Sequence, residues 1–269
     1  MSDLINKDDF TNLYSALIPT ALQAGQAIME IYNAPIDVEY KSDESPVTLA
    51  DKTAEKIILE TLKDIAPDIP VIAEESVTEG IIPDTGRYFW LVDPLDGTKE
   101  FIKKGTDFTV NIALIEDKKP IFGIIYAPAR AELFYSASTS QTIKAKVESH
   151  SKILEQKTIT AQPTHDTPIA VASKSHRDAT TDQFLQEQNI TSIESIGSSL
   201  KFCLVAEATA DIYPRFAPTM EWDTAAGHAI LLSAGGSVIN PDGSDFSYQK
   251  KDYYNGHFIA LSKSYKLNL

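Results

Sequence analysis

Between Phe10 and Tyr32 apolar residues return at every third or fourth position: Phe10, Leu13, Leu17, Ala21, Ala24, Ile28 and Ile31. That stripe predicts an amphipathic helix, and Pro19 inside it is expected to kink the helix or split it in two. Asp37 to Lys41 reads as a short strand. The polar stretch Ser42 to Pro46 leads to Thr48-Leu49-Ala50-Asp51, which has capping-box spacing, and a second helix follows through Ala54, Ile58, Leu62 and Ile65. Two apolar runs then end in acids. Pro70 to Ala73 stops at Glu74-Glu75-Ser76, and Tyr88 to Val92, a buried strand, stops at Asp93-Pro94-Leu95-Asp96-Gly97-Thr98. Pro94 is not expected to continue a sheet ladder and Gly97 permits a sharp turn, so both aspartates are expected on a constrained loop at the strand's end.

Beyond this loop the chain becomes strand-rich. Phe108 to Ile115 and Ile121 to Tyr126 flank Glu116-Asp117-Lys118-Lys119-Pro120 as a hairpin, and Ala131 to Ser136 continues the meander. Asp107 to Asn111 lies near the acid loop and reads as the edge of the core, with support of the loop as the second reading. Gln141 to Gln162 is polar and carries Lys144, Lys146, Lys152 and Lys157; its end, near Pro163 to Thr167, is taken as a domain boundary.

From there strand and helix signals alternate. Ile169 to Ala172, Ile190 to Ile196, Asp211 to Tyr213, Ser237 to Ile239 and Phe258 to Leu261 read as strands. Helices fall near Thr181 to Gln188, from Ser199 to Ala208 and from Thr224 to Leu232. The expected fold class is mixed α/β: a layered sandwich with an α+β half over residues 1–162 and an α/β half over 163–269.

Composition narrows the function classes. Lys plus Arg number 24 against 38 Asp plus Glu, a formal charge of −14, so broad binding to a nucleic acid polymer or an anionic membrane is not expected. Cys203 is the only cysteine, which rules out an intrachain disulfide and suits a reducing compartment; its apolar neighbours make it a buried structural thiol. The amino terminus has no basic and apolar leader pattern, and no apolar run reaches bilayer-spanning length. A cytoplasmic protein is expected, with contact at the inner face of a membrane left open, as is the oligomeric state. Walker-A spacing, a nucleophile elbow and a cysteine-rich metal motif are all absent.

The acids carry the candidate chemistry. Asp93 and Asp96, fixed so close together, repel unless a cation lies between them, and oxygen ligands of this kind suit Mg²⁺. A turn whose aspartates cap backbone amides is the plain alternative. Glu221-Trp222-Asp223 opens a further helix and adds another acid. Asp51 reads by itself as a helix cap. Three back-half segments offer groups for an anion: Ser173-Lys174-Ser175-His176-Arg177, Gly197-Ser198-Ser199-Leu200-Lys201, and Arg215. Ser198 serves equally as an N-cap. His228, on an apolar face, reads as a core histidine.

Glu74-Glu75-Ser76, Asp93-Pro94-Leu95-Asp96-Gly97-Thr98 and Trp222-Asp223-Thr224-Ala225-Ala226-Gly227 resemble, in order and spacing, the signatures of the inositol monophosphatase superfamily of lithium-sensitive, Mg²⁺-dependent phosphatases. Lys99-Glu100-Phe101, the Ser173 to Arg177 loop and Pro218-Thr219-Met220-Glu221 are similar to its 3′(2′),5′-bisphosphate nucleotidase branch. The resemblance implies a sandwich of the sugar-phosphatase type and removal of the 3′-phosphate of adenosine 3′,5′-bisphosphate, a small phosphorylated nucleotide, to leave AMP. It implies two or three Mg²⁺ ions held by Glu74, Asp93, Asp96, Asp223 and the carbonyl of Leu95. Glu74 and Thr98 would activate water, Asp51 would serve a further metal, and the Gly97 and Thr98 amides would hold the phosphate. Ser173, His176, Ser198, Lys201 and Arg215 resemble the nucleotide-holding set. Ala73 departs from the pattern, since many relatives have glycine there. An inositol or sugar phosphatase with the same metal site is the rival expectation, and a noncatalytic anion or metal-binding module is the third.

Overall fold

The computed structural model describes residues 5–34, 38–40, 46–163, 167–173, 177–263 and 265–267, with the backbone alone at 38–40 and 46–48. The first apolar stripe forms one uninterrupted helix, α1 (Thr11–Tyr32), with Pro19 inside it. A proline costs the helix a hydrogen bond, but Leu13, Leu17, Ala21, Ala24 and Ile28 bury a whole face against the sheet, and that burial keeps the helix single. A two-stranded ladder, β1 (Val38–Tyr40) with β2 (Pro46–Thr48), precedes α2 (Leu49–Ile65). Asp37 and Lys41, the ends predicted for the first strand, lie outside the described residues.

Next come β3 (Val71–Ala73), the short α3 (Glu74–Thr78), β4 (Tyr88–Asp96) and α4 (Thr98–Ile102). An antiparallel meander follows through β5 (Thr109–Glu116), β6 (Lys119–Ala127), β7 (Glu132–Ser138), β8 (Gln141–Glu148) and β9 (Lys152–Ile159). All of β3 to β9 lie in one seven-stranded sheet in chain order, with only β3 and β4 parallel. Asp117 and Lys118, both at positive φ, make the tight turn between β5 and β6, and Pro120 belongs to β6 rather than to the turn.

The sequence pattern missed β8 and β9. In β8 only Thr142, Ala145 and Val147 are buried, and in β9 only Ile159, so lysines and glutamates dilute the alternation. A polar outer strand closes the sheet against further pairing.

The chain then builds β10 (Ile169–Ser173), α5 (Ala179–Glu187), β11 (Ser192–Ile196), α6 (Leu200–Ala206) and β12 (Ile212–Arg215). After β13 (Thr219–Met220) come α7 (Trp222–Ser233), β14 (Ser237–Ile239), β15 (Tyr254–Asn255) and β16 (Phe258–Leu261). The second sheet has the order β11-β10-β12-β16-β14, and β13 pairs separately with β15.

Burial shows how the layers stack. One face of β4 to β6, including Trp90, Val92, Val110, Ile112, Phe122 and Ile124, packs on α1 and α2. The other face, including Phe89, Leu91, Ala113 and Ile125, packs on α6 and α7, whose far sides meet Val171, Tyr213 and Phe258 of the second sheet. Leu185 of α5 covers that sheet's outer face against Ala170, Ile212 and Ile259. The result is five layers, α/β/α/β/α, in agreement with the mixed α/β sandwich expected.

Helix α7 lies between two sheets, and ten of its twelve residues are buried. Its small residues follow from that position. At Gly123 of β6 an added Cβ would stand 2.4 Å from the Ala226 carbonyl oxygen, so strand and helix approach at backbone distance. Among the described residues no helix is long and apolar enough to cross a membrane.

Candidate active site

Strand β4 does not stop at Val92. It runs to Asp96, and its ladder with β5 shifts register between the Asp93↔Asn111 and Asp96↔Thr109 pairs. Pro94 and Leu95 fall in that irregularity, where a missing N–H breaks no ladder bond. The bulge re-aims the two acids: Asp93 is buried beneath the surface, whereas Asp96 opens on a cavity of about 250 Å³. Gly97 takes φ 95°, and a Cβ there would lie 2.7 Å from the Asp107 carbonyl oxygen, so the turn into α4 requires glycine. Thr98 then donates its hydroxyl to the Leu95 carbonyl at 3.2 Å.

Other elements bring their acids to the same cavity. Asp51, in the first turn of α2, and Glu74, the first residue of α3, line it with Asp96, Gly97 and Thr98. Glu74 is set in place by an acid that sequence reasoning missed. The buried Glu55 carboxylate accepts the Glu75 and Ser76 N–H groups, each at 2.8 Å, and the Ser76 hydroxyl at 2.6 Å. The available signal was its position one helical turn after Asp51, on the buried face of α2. Asp223 enters from the first turn of α7 and accepts the Met220 N–H at 2.8 Å. Its neighbour Glu221, fully buried, holds the loop behind by accepting the Gln249 and Lys250 N–H groups, both at 2.9 Å.

From the back half the cavity is lined by Ser173, Ser198, Lys201 and Arg215. His176, with Lys174 and Ser175, lies outside the described residues. Ser198 is not the N-cap of α6. It sits at φ 51°, and Ser199 holds the cap position. Lys201 is buried over the Tyr213 ring and donates to the Ile196 and Ser198 carbonyls. The Arg215 guanidinium donates to the Ala217 and Pro218 carbonyls. Arg177 pairs instead with Asp182.

Asp107, Thr109 and Asn111 were expected to be core-edge residues, and they do more. Asp107 accepts the Gly197 N–H at 3.1 Å, and Asn111 accepts the Ser199 hydroxyl at 2.7 Å. Ser199 is packed tightly enough against the sheet that its side chain serves β5, not its own helix. His228 is a satisfied core histidine, with Nδ1 3.1 Å from the Tyr248 hydroxyl, and Cys203 is buried.

The electrostatics are those of crowded, buried carboxylates. Burial pushes Asp93 well above the usual carboxylate range, and the charges of Glu74, Asp96, Asp223 and Asp51 push it further. Asp223 rises to about 7, through burial first and then Asp96. Burial raises Asp96 too, opposed by Lys201, the Ser199 N–H, Arg215 and Asn111. Burial lowers Lys201 to about 8 even though Asp96 pulls it up.

Among the described residues no three acidic, histidine or cysteine side chains converge on a single point that would hold a metal ion. Asp51, Glu74, Asp96 and Asp223 line the cavity instead, and Asp93 is buried. Their chemistry nevertheless fits a hard cation, because every donor is oxygen and the charges that raise Asp93 are all negative.

A five-layer α/β sandwich with this acid-floored cavity at the junction of its sheets defines the class. Residues 9–267 match the inositol monophosphatase family, and the chain belongs to it. Among curated relatives, the 3′(2′),5′-bisphosphate nucleotidase CysQ of Salmonella typhimurium is 45% identical over 236 residues, 87% of this chain and 93% of that protein. The nucleotidase CysQ of Buchnera aphidicola is 42% identical over 262 residues, 94% of this chain and 96% of that one. The crystal structure of CysQ from Bacteroides thetaiotaomicron superposes with a TM-score of 0.80 at 38% identity, covering 95% of this chain and 99% of the other.

Proposed function

We propose that this protein is a metal-dependent phosphomonoesterase, a 3′(2′),5′-bisphosphate nucleotidase that hydrolyses the 3′-phosphate of adenosine 3′,5′-bisphosphate to give AMP and phosphate. The observation that carries the reading is one cavity in which Asp51, Glu74, Asp96, Asp223 and the Gly97-Thr98 turn face Lys201 and Arg215. The two groups come mainly from different halves, residues 1–162 and 163–269, with Asp223 crossing between them.

In this reading Glu74, Asp93, Asp96, Asp223 and the Leu95 carbonyl hold Mg²⁺, two or three ions in all, with Asp51 serving one of them. When bound, the cations neutralise phosphate oxygens and acidify a water molecule. The chain itself does the rest. The Gly97 and Thr98 amides, at the start of α4, hydrogen-bond the scissile phosphate. Glu74 takes the proton of the attacking water, which Thr98 orients through a hydroxyl whose direction is set by its bond to Leu95. Ser173, His176, Ser198, Lys201 and Arg215 hold the remainder of the nucleotide. Lys201 and Arg215 offset the charge of the second phosphate, which an acidic chain would otherwise repel. Phosphomonoester hydrolysis demands well over ~20 kcal/mol of transition-state stabilisation, so preorganised charge has to do most of the work.

The test is Mg²⁺-dependent phosphate release from adenosine 3′,5′-bisphosphate beside inositol 1-phosphate and fructose 1,6-bisphosphate, with and without lithium. A strong preference for the nucleotide is expected. A preference for the inositol or sugar ester would discard the nucleotide contacts, and no release from any of them would discard the enzyme.

A further inference from the structure

Two working segments of the cavity rest on one residue, Asp107. A Cβ at Gly97 would lie 2.7 Å from the Asp107 carbonyl oxygen, and a Cβ at Gly197 would lie 2.9 Å from the same oxygen and 2.8 Å from the Asp107 Cβ. Contacts that short leave no room for a side chain at either glycine. The turn that opens α4 and the loop that leads into α6 therefore pack on a single peptide.

The side chain of Asp107 is committed as well. It is buried; Oδ2 accepts the Gly197 N–H at 3.1 Å, and Oδ1 accepts from the Arg130 guanidinium. Arg130 ends the 3-10 turn Pro128–Arg130 between β6 and β7, and its side chain is 32% exposed. Both of these neighbours are donors. A carboxylate offers an oxygen to each, whereas an amide could satisfy only one of them. Arg130 also sets a positive charge beside an acid that adjoins a loop meant for an anion.

We propose that Asp107, braced by Arg130, is a positioning residue that holds the Gly197–Lys201 loop at a fixed reach from the Gly97-Thr98 turn, and so selects an ester carrying a second phosphate at that reach. The inference rests on the nucleotidase reading and names what spaces its two anion-holding segments. Asp107 acts through the loop. The main-chain contact with Gly97 survives a change of side chain, so the turn keeps its place while the loop loses its anchor. Loss of the carboxylate weakens ground state and transition state alike, which raises KM and spares kcat.

The experiment measures Mg²⁺-dependent hydrolysis of adenosine 3′,5′-bisphosphate by full-length wild type, Asp107→Ala, Asp107→Glu and Arg130→Ala, with inhibition constants for AMP and for inorganic phosphate. Asp107→Ala should raise KM and the AMP constant about tenfold, the effect of losing a hydrogen bond to a charged group. Its kcat and phosphate constant should stay close to wild type. Asp107→Glu keeps two acceptor oxygens and should recover most of the loss. Arg130→Ala, at a partly exposed position, should move the same two constants in the same direction, and it carries the test if Asp107→Ala fails to fold. A merely structural role would lower kcat together with melting temperature and weaken AMP and phosphate equally, and that result would overturn the proposal. So would Asp107→Glu faring no better than Asp107→Ala, or an AMP constant unchanged by the loss of Arg130. Wild type that releases no phosphate would instead sink the phosphatase reading, and this inference with it.

Discussion

Asp96 and Asp223 each face opposite demands: the fold leaves them only partly exposed in a narrow cavity, which favours their neutral form, while the proposed chemistry needs them charged. Replacing either by Asn should lower kcat/KM by on the order of 10³-fold or more, as loss of a principal electrostatic group does. The same change removes a repelled charge, so in EDTA at pH 8 the variants should melt no lower than wild type. Steady-state kinetics and a thermal melt check the two halves of this expectation. Near-normal turnover in either variant would sink the metal-site reading. Glu55 contrasts with them because it works at one remove. Glu55→Ala leaves the Glu75 and Ser76 N–H groups without their acceptor, at a cost of about 1–3 kcal/mol for each donor left buried. It should lower both stability in denaturant titration and kcat, since α3 begins with Glu74. An unchanged kcat would mean that Glu74 is placed by something else.

At the scale of elements, α7 joins the two sheets, and its His228 gives it a pH signature. Burial lowers the imidazole to about 3, so it stays neutral when folded. Below about pH 6.5 the unfolded chain takes up a proton that the folded chain refuses. The contribution is therefore fully present above that pH and lost as pH falls toward 3, with a slope of up to about 1.4 kcal/mol per pH unit. Urea unfolding at pH 7.5 and 5.0 should show this loss, and His228→Gln should flatten it. An unaltered slope in the variant would place the effect elsewhere. Helix α7 was plain in the sequence as a run of small and apolar residues opened by Trp222-Asp223, and so were α1, α2 and the strands ending in acids. What escaped was contextual. Strands β8 and β9 hide because an edge needs few apolar residues. The continuation of β4 through Pro94 hides because a bulge suspends the rule that excludes proline. The roles of Thr109 and Asn111 hide because their partner, Ser199, is nearly ninety positions away.

For the whole molecule, the concentration of buried acid should make stability depend on both pH and metal. Asp223 titrates above its unfolded value, so its contribution in the metal-free protein is fully present below about pH 3.8 and is lost as pH rises through about 7, and Asp93, raised by burial and the neighbouring acids, acts in the same direction. A cation takes the place of those protons. Mg²⁺ should consequently raise the melting temperature more at pH 8 than at pH 5.5, measured against EDTA at each pH; an equal rise at both would argue against binding at these acids. The stacking of the layers has a further implication. Because Gly123 meets Ala226 backbone to backbone, any side chain at 123 shifts the helix whose first turn carries Asp223. As the protein diverges among lineages, position 123 should therefore behave like an active-site residue, closed to exchange although it would never touch a substrate, while Lys152, Glu155 and Lys157 of β9 are free to drift.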